Sequence, residues 1–225
     1  MSKKTTAQAP GDNDIYGLKK AVANSWAAIV DLTIDEMVKR ASCILDKESK
    51  KMILPFFGRQ YSIDITSQVI TTAENKTFNN LFQIGIMLHY MAHAQNIPLK
   101  NQLISFRELW GGNEYFYAFE NRVLKPLIAH FQTKPEDLIN AGLKLSGKKI
   151  AKGEYGVVIP ALPRVPITIL FWSGDDEVAA SANVLFDASA NEQMETEALV
   201  WLSIATVGEL KASKLNTNNN TNNTK

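Results

Sequence analysis

The sequence predicts a single α+β domain in which antiparallel strands pack on a central buried helix. Helical apolar spacing opens the chain and returns near its end, while residues 43–73 switch to the two-residue period of strands. The order is helices, strands, helices, strands, helix, without the strict strand–helix alternation of a doubly wound sheet. With 225 residues, 45% of them hydrophobic, the chain buries a substantial core and falls in the range of one large domain.

Residues 1–14 and the Asn/Thr-rich stretch 215–225 carry almost no apolar side chains to offset the entropy of ordering, so both ends are expected to be disordered around a globular domain spanning 15–214. Residues 16–30 set Leu18, Val22, Trp26 and Ile29 on one helical stripe, and Thr33 is placed to cap a second helix over 35–41. Residues 52–54, 61–65 and 69–71 are β-branched or alternating and are separated by polar turns such as Gly58-Arg59-Gln60, which predicts an antiparallel meander. Residues 79–95 are apolar on almost every face, as a helix buried in a core requires.

The pair Gly111-Gly112 predicts a turn with free backbone N–H groups. A helix follows over 114–131, with Phe116, Phe119, Val123 and Leu127 on one stripe and a kink where Pro126 lacks an N–H for the Arg122 carbonyl. Another helix is expected over 135–145. Residues 165–172 are apolar almost throughout and predict a central strand. The last helix, over 196–211, starts at Glu195 and Glu197 and ends near Lys211 and Lys214, in accord with the helix dipole.

Composition excludes several classes. A formal charge of +1 provides no global field for nucleic acid or an anionic membrane surface. No apolar run approaches the roughly 18–20 residues of a membrane span, and the first residues lack the apolar core of a signal peptide. Cys43 is the only cysteine, which rules out an intramolecular disulfide or a cysteine-built cluster within this chain and points to a reducing compartment. A cytoplasmic protein is expected, with no nucleic-acid or membrane partner. The sequence names no cofactor.

Three groups of residues have chemical potential. His89 and His93 stand four apart on the central helix, a spacing a metal can bridge, but their apolar neighbours Phe82, Ile86 and Ala92 favour hydrogen-bonded core histidines. Asp175, Asp176 and Glu177 directly follow the central strand, and Asp187 ends the next apolar run. If these strands are neighbours, their acidic ends offer a site for a divalent cation or acid–base pair; the alternative is a turn plus a helix cap. Arg107, Glu108, Trp110, Gly111, Gly112 and Arg122, with Trp172, form a candidate site for a small anionic ligand, since guanidinium groups supply paired donors and indoles a stacking face. The alternative there is an Arg–Glu network with a packed tryptophan. Without another cation, repulsion within the acidic group calls for a basic partner, so Arg107 or Arg122 is expected to join it in one cleft. The stretch Gly142 to Lys149 approaches a phosphate-binding loop but ends in Lys149 where Ser or Thr is needed, and follows a helix, so it reads as a solvated basic turn.

Five blocks are distinctive as an ordered set: Ser105-Phe106-Arg107-Glu108-Leu109-Trp110-Gly111-Gly112; Phe119 and Arg122 with Pro126-Leu127; Leu162-Pro163-Arg164-Val165-Pro166; Trp172-Ser173-Gly174-Asp175-Asp176-Glu177; and Leu185-Phe186-Asp187. On these residues the chain resembles a domain-of-unknown-function family of anaerobic bacteria and archaea, some members of which are fused to cysteine-rich iron–sulfur segments. The resemblance implies accessory work near iron–sulfur or corrinoid metabolism, with an iron–sulfur or corrinoid protein as partner. Cys43 alone departs from the cysteine-rich members, and Val178 and Glu154 stand where the family favours an aromatic and an aspartate. The expected function is therefore a binding or accessory protein for a small ligand or cofactor. The alternatives are a metal-dependent enzyme using Asp175, Asp176, Glu177 and Asp187, and a protein-interaction module.

Overall fold

The computed structural model describes residues 12–221. Of the ends expected to be disordered, residues 1–11 and 222–225 lie outside the described residues. Helix α1 (Asp12–Val30) leads through a short turn into α2 (Ile34–Ala41). Thr33 caps α2 with a reciprocal box: its side chain accepts from the Glu36 N–H at 3.2 Å, and the Glu36 carboxylate accepts from the Thr33 N–H at 2.9 Å. Thr33→Ala is expected to cost about 1 kcal/mol in chemical denaturation.

The meander follows as β1 (Ile44–Asp46), β2 (Lys51–Phe56), β3 (Arg59–Asp64) and β4 (Val69–Thr72), a four-stranded antiparallel sheet in sequence order. In β2, Met52, Leu54 and Phe56 point inward, the period-2 pattern that fixes its register. Helix α3 (Leu81–His93) starts at Asn80, whose side chain accepts from the Gln83 N–H. It is buried from Gln83 to Leu88 and again at Tyr90 and Met91. The Tyr90 hydroxyl donates to the Ala41 carbonyl at 2.9 Å, tying α3 to the end of α2.

The second sheet has the order β5 (Leu103–Ser105), β9 (Ser181–Asp187), β8 (Val165–Trp172), β7 (Tyr155–Leu162), β6 (Lys148–Ile150), all antiparallel. The apolar strand predicted to be central, β8, is central. Short strands β1, β5 and β6 carry too little pattern to read from sequence. The two sheets meet where the β2–β3 turn reaches a bulge in β7, the Phe57 N–H donating to the Ala161 carbonyl at 3.1 Å.

Between the sheets' segments, α4 (Gly112–Phe119) runs through one π-helical turn (Glu120–Leu124) into α5 (Lys125–Phe131). The reason is Pro126: having no N–H, it denies the Arg122 carbonyl its ordinary i+4 donor, and the Lys125 N–H reaches back five residues to Glu120. Helix α6 (Glu136–Lys144) closes with Gly147 N–H on the Gly142 carbonyl and Ser146 N–H on Leu143, a helix-stop motif, which accounts for the glycine-punctuated basic loop without any phosphate. Helix α7 (Thr196–Thr221) ends the described chain. It packs against α3, α4, α5 and α6, and Glu209 on it binds both Arg59 of β3 (2.9 Å) and Gln83 of α3 (2.7 Å). One apolar cluster runs from Val22 in α1 through both sheets to Leu210 in α7, so the chain folds as a single α+β domain. The nearest backbone neighbours of α3 are the helices α1, α2 and α7.

Candidate functional site

Strand β5 delivers the chain into the Arg107–Gly112 loop. The Ser105 N–H and hydroxyl both donate to the Glu108 carboxylate at 2.7 Å, closing a short 3-10 turn, Phe106–Glu108. Those backbone and side-chain bonds from Ser105 hold the Glu108 carboxyl below its ordinary range. Glu108 thus fastens the turn and forms no Arg–Glu network. Gly112 packs against the Phe106 carbonyl so closely that a Cβ would fall 1.9 Å from its oxygen, and Gly111 sits in the left-handed region at φ +70°. The Gly112 N–H is spent on the Leu109 carbonyl at 2.8 Å, so the glycine pair offers fewer free donors than the sequence suggested.

Trp110 is held by its backbone alone. Its N–H donates to Asn191 Oδ1 at 2.9 Å, and its carbonyl accepts from the hydroxyl of Thr196, the first residue of α7. The indole is 85% exposed, and Tyr117 on α4 is 78% exposed. The packed tryptophan weighed from sequence is therefore corrected: only its main chain is anchored. Arg107 lays its guanidinium 3.4 Å over the Phe116 ring and reaches Asn113 Oδ1 at 3.5 Å. Arg122 is exposed on the π turn. Among the described residues neither arginine makes an ion pair.

The acidic residues do not converge. Strands β8 and β9 are neighbours as the sequence reading required, but their antiparallel register pairs Trp172 with Ser181. The 175–177 turn therefore lies at the start of β9 and Asp187 at its end, six residues on from Ser181, about 20 Å at 3.4 Å per step. Asp175 closes its own turn, accepting from the N–H groups of Glu177 (2.9 Å) and Val178 (2.7 Å), bonds that hold its carboxyl low. Asp187 is buried and accepts from the N–H groups of Lys100 (2.9 Å), Asn101 (2.7 Å) and Ser189 (2.9 Å) and from the Ser189 hydroxyl (2.5 Å). Burial works to raise its carboxyl, but these four bonds prevail and hold it below the ordinary value. Among the described residues no three His, Cys, Asp or Glu side chains are grouped to hold a metal ion. The expected merger of an arginine with a four-carboxylate cluster is likewise corrected, because that cluster does not form: strand direction parts Asp187 from the 175–177 turn. Trp172 stands at the end of β8, next to Ser173, whose N–H and hydroxyl both donate to Glu154 at 2.8 Å.

The histidines stack, ring centroids 4.1 Å apart, and His93 Nδ1 donates to the His89 carbonyl at 2.9 Å. The expected pair of hydrogen-bonded core histidines is corrected: His93 is exposed, and half-buried His89 leaves its Nε2 buried without a hydrogen-bond partner among the described residues. Burial first, then the neighbouring His93, push its pKa down to about 4, against a smaller upward pull from Glu195. The folded protein therefore resists protonating His89, and stability falls as pH drops from about 6.5, the ordinary histidine value, toward 4. A His89→Gln variant is expected to lose less stability over that window, read from denaturant midpoints at each pH. His89 also lines a cavity of about 240 Å³ between α1, α3 and α7, with Ser25, Gly85, Glu195, Glu197 and Trp201. A second cavity of about 510 Å³ lies over β5, β6 and β8 beside Asp187 and Lys152.

Sequence reasoning placed Arg164 in a distinctive block but missed its role. Its guanidinium donates to Ser42 Oγ (2.9 Å), Asn96 Oδ1 (2.8 Å) and the carbonyls of Ile97 (2.9 Å) and Lys39 (3.2 Å), locking the end of α2 and the chain after α3 to the β7–β8 turn. The residues it joins are far apart in sequence, and no local pattern announces them.

Among the described residues, two antiparallel sheets sharing one core with seven α-helices define a single-domain α+β protein whose exposed aromatic loop is pinned to the start of α7. The chain belongs to the family described as Domain of unknown function (DUF3786), which matches residues 33–209. Helix α1 precedes that match. No curated protein and no solved structure matches the chain. Among the described residues no helix is long and apolar enough to cross a membrane.

Proposed function

We propose that the domain is a cytoplasmic binding and accessory module that acts by contact with a partner protein through the Trp110 surface. The observation that carries this reading is an indole 85% exposed on a main chain fixed at both its N–H and its carbonyl. Structure alone gives no reason for a tryptophan there, since its side chain buries almost nothing. Of the residues that carry the family resemblance, Ser105, Glu108, Gly112, Arg164 and Asp187 are accounted for by hydrogen bonds or close packing, and the Trp110 indole is not. Trp, Tyr and Arg dominate binding energy at protein interfaces, and Trp110, Tyr117 and Arg107 lie on this loop and the helix after it. The resemblance implies an iron–sulfur or corrinoid protein of anaerobic metabolism as partner. Cys43 accords with a cluster carried by the partner: burial pushes its thiol up to about 12, so it supplies no thiolate.

A second reading keeps Arg107 and Arg122 as donors for a small anionic ligand, favoured by two guanidiniums without a carboxylate partner. Replacing both with Gln and titrating a dicarboxylate by calorimetry tests it; binding by the parent chain that the double variant retains sinks it.

Trp110→Ala is expected to change unfolding free energy by less than about 0.5 kcal/mol, because an exposed side chain is removed. The functional test is gel filtration of native cell extract. The parent chain is expected to elute in an assembly larger than itself, and the Trp110→Ala/Tyr117→Ala variant at its own size with an unchanged unfolding midpoint. Identical elution of the two overturns the reading.

A further inference from the structure

We propose that the cavity between α1, α3 and α7 binds a small organic ammonium, with Glu195 and Glu197 facing its charge, Trp201 its apolar body, and the His89 ring its N–H. The proposal is independent of the Trp110 surface.

The cavity gathers unlike chemistry from three distant parts of the chain. Helix α1 contributes Ser25, whose hydroxyl donates to the Ala21 carbonyl at 3.0 Å and keeps its lone pairs for another donor. Helix α3 contributes His89 and, at Gly85, a bare backbone. The absence of a side chain at Gly85 keeps the space open: a Cβ there meets only Val22, at 3.6 Å. Helix α7 and the residue before it contribute Trp201 and the two carboxylates.

Charge and shape select the ligand class. Glu195 and Glu197 are exposed, so they form the rim and keep their charge in water at no desolvation cost. Two carboxylates, with no lysine or arginine among the described residues lining the same cavity, repel an anion and attract a cation. The Trp201 ring is stacked on Phe82 at 5.7 Å, which fixes the indole as part of a rigid apolar wall. An indole wall and a carboxylate rim are what an alkyl or aryl ammonium requires, since the ring attracts both the hydrocarbon and the adjoining charge. His89 lines the cavity, and its Nε2 is buried without a hydrogen-bond partner among the described residues. The imidazole is neutral at physiological pH and adds no positive charge to repel the ligand. A bare metal ion is the poorer fit, because His89, Glu195 and Glu197, although all three line the cavity, are not grouped closely enough to hold one among the described residues. The volume of about 240 Å³ lies below the roughly 300–1,000 Å³ of pockets for drug-sized molecules, which restricts the ligand to a compact amine.

The test compares three near-isosteric probes on the full chain by calorimetry: benzylamine, benzyl alcohol and benzoate. Benzylamine, cationic at neutral pH, is expected to bind saturably with a Kd of about 1 mM or tighter, and the neutral and anionic probes at least about tenfold more weakly. Glu195→Gln/Glu197→Gln, both on the surface, is expected to lower the unfolding midpoint only modestly, through the α7 dipole, and to weaken benzylamine about tenfold. In imidazole nitrogen NMR, the His89 Nε2 resonance is expected to shift on saturation. Equal affinity for the three probes, no binding of benzylamine, propylamine or methylamine below about 10 mM, or an unaffected double variant overturns the proposal.

Discussion

Gly112→Ala is expected to destabilise the domain by about 3 kcal/mol or more, since its Cβ would make the closest approach of any glycine among the described residues. The new Cβ would lie 1.9 Å from the Phe106 carbonyl oxygen and 3.0 Å from its carbon, and these are backbone atoms that cannot swing aside. Phe106 itself is buried and stacked on Phe119 at 3.9 Å, so moving its carbonyl disturbs the core beneath α4. The neighbouring Gly111→Ala serves as the control. There the φ of +70° strains any L residue, but the nearest atom lies 3.9 Å away, and about 1 kcal/mol is expected from backbone conformation alone. Urea unfolding of both variants distinguishes close approach from backbone strain; equal losses would show that the Phe106 contact is soft. Because the same turn carries Trp110 to its anchors on Asn191 and Thr196, Gly112→Ala is also expected to abolish the proposed partner assembly, whereas Trp110→Ala does so at native stability.

Asp187→Ala is expected to cost about 3 kcal/mol, since it orphans three backbone N–H groups and a hydroxyl around a side chain only 4% exposed. This carboxylate, offered by the sequence as a metal ligand, joins the 100–101 segment to the end of β9. The pH dependence follows from its lowered pKa. A carboxyl held below its unfolded value contributes fully above that value, about 3.9, and its contribution fades as pH falls through the folded pKa. The gap in unfolding free energy between the parent chain and Asp187→Ala is therefore expected to be constant above about pH 5 and to narrow below about pH 4. A gap that stays constant into acid would mean that Asp187 is not held as a carboxylate.

Much of the fold was legible because it rests on local periodicity. The stripe on α1, the Thr33 cap, the all-apolar α3 and β8, and the break at Pro126 each depend on residues within a turn or two of one another. Strands of three residues, β1, β5 and β6, contain too few alternations to rise above the background and form because a longer neighbour supplies the ladder. The candidate sites fared less evenly. The turn at Gly111-Gly112 is where the sequence placed it, but the anchoring of the Trp110 main chain depends on Asn191 and Thr196, over eighty residues away. The acidic group looked like one site because nearness in sequence and adjacency of strands both suggested it, and strand direction alone undid it.

What the sequence by itself determined is the class of the domain, the identity of its central strand and buried helix, and the positions where a proline or a glycine forces the backbone out of regular form. Those follow from side-chain pattern and steric rules that act over a few residues. What only the tertiary structure decided is which polar groups meet. The antiparallel pairing of β8 with β9 set Asp187 about 20 Å from the acidic turn. The packing of α1 and α7 on α3 brought Ser25, His89, Glu195 and Trp201 around one cavity. Long-range partnerships of this kind leave no local signal, because each residue's own neighbours in sequence are satisfied whichever way the chain returns.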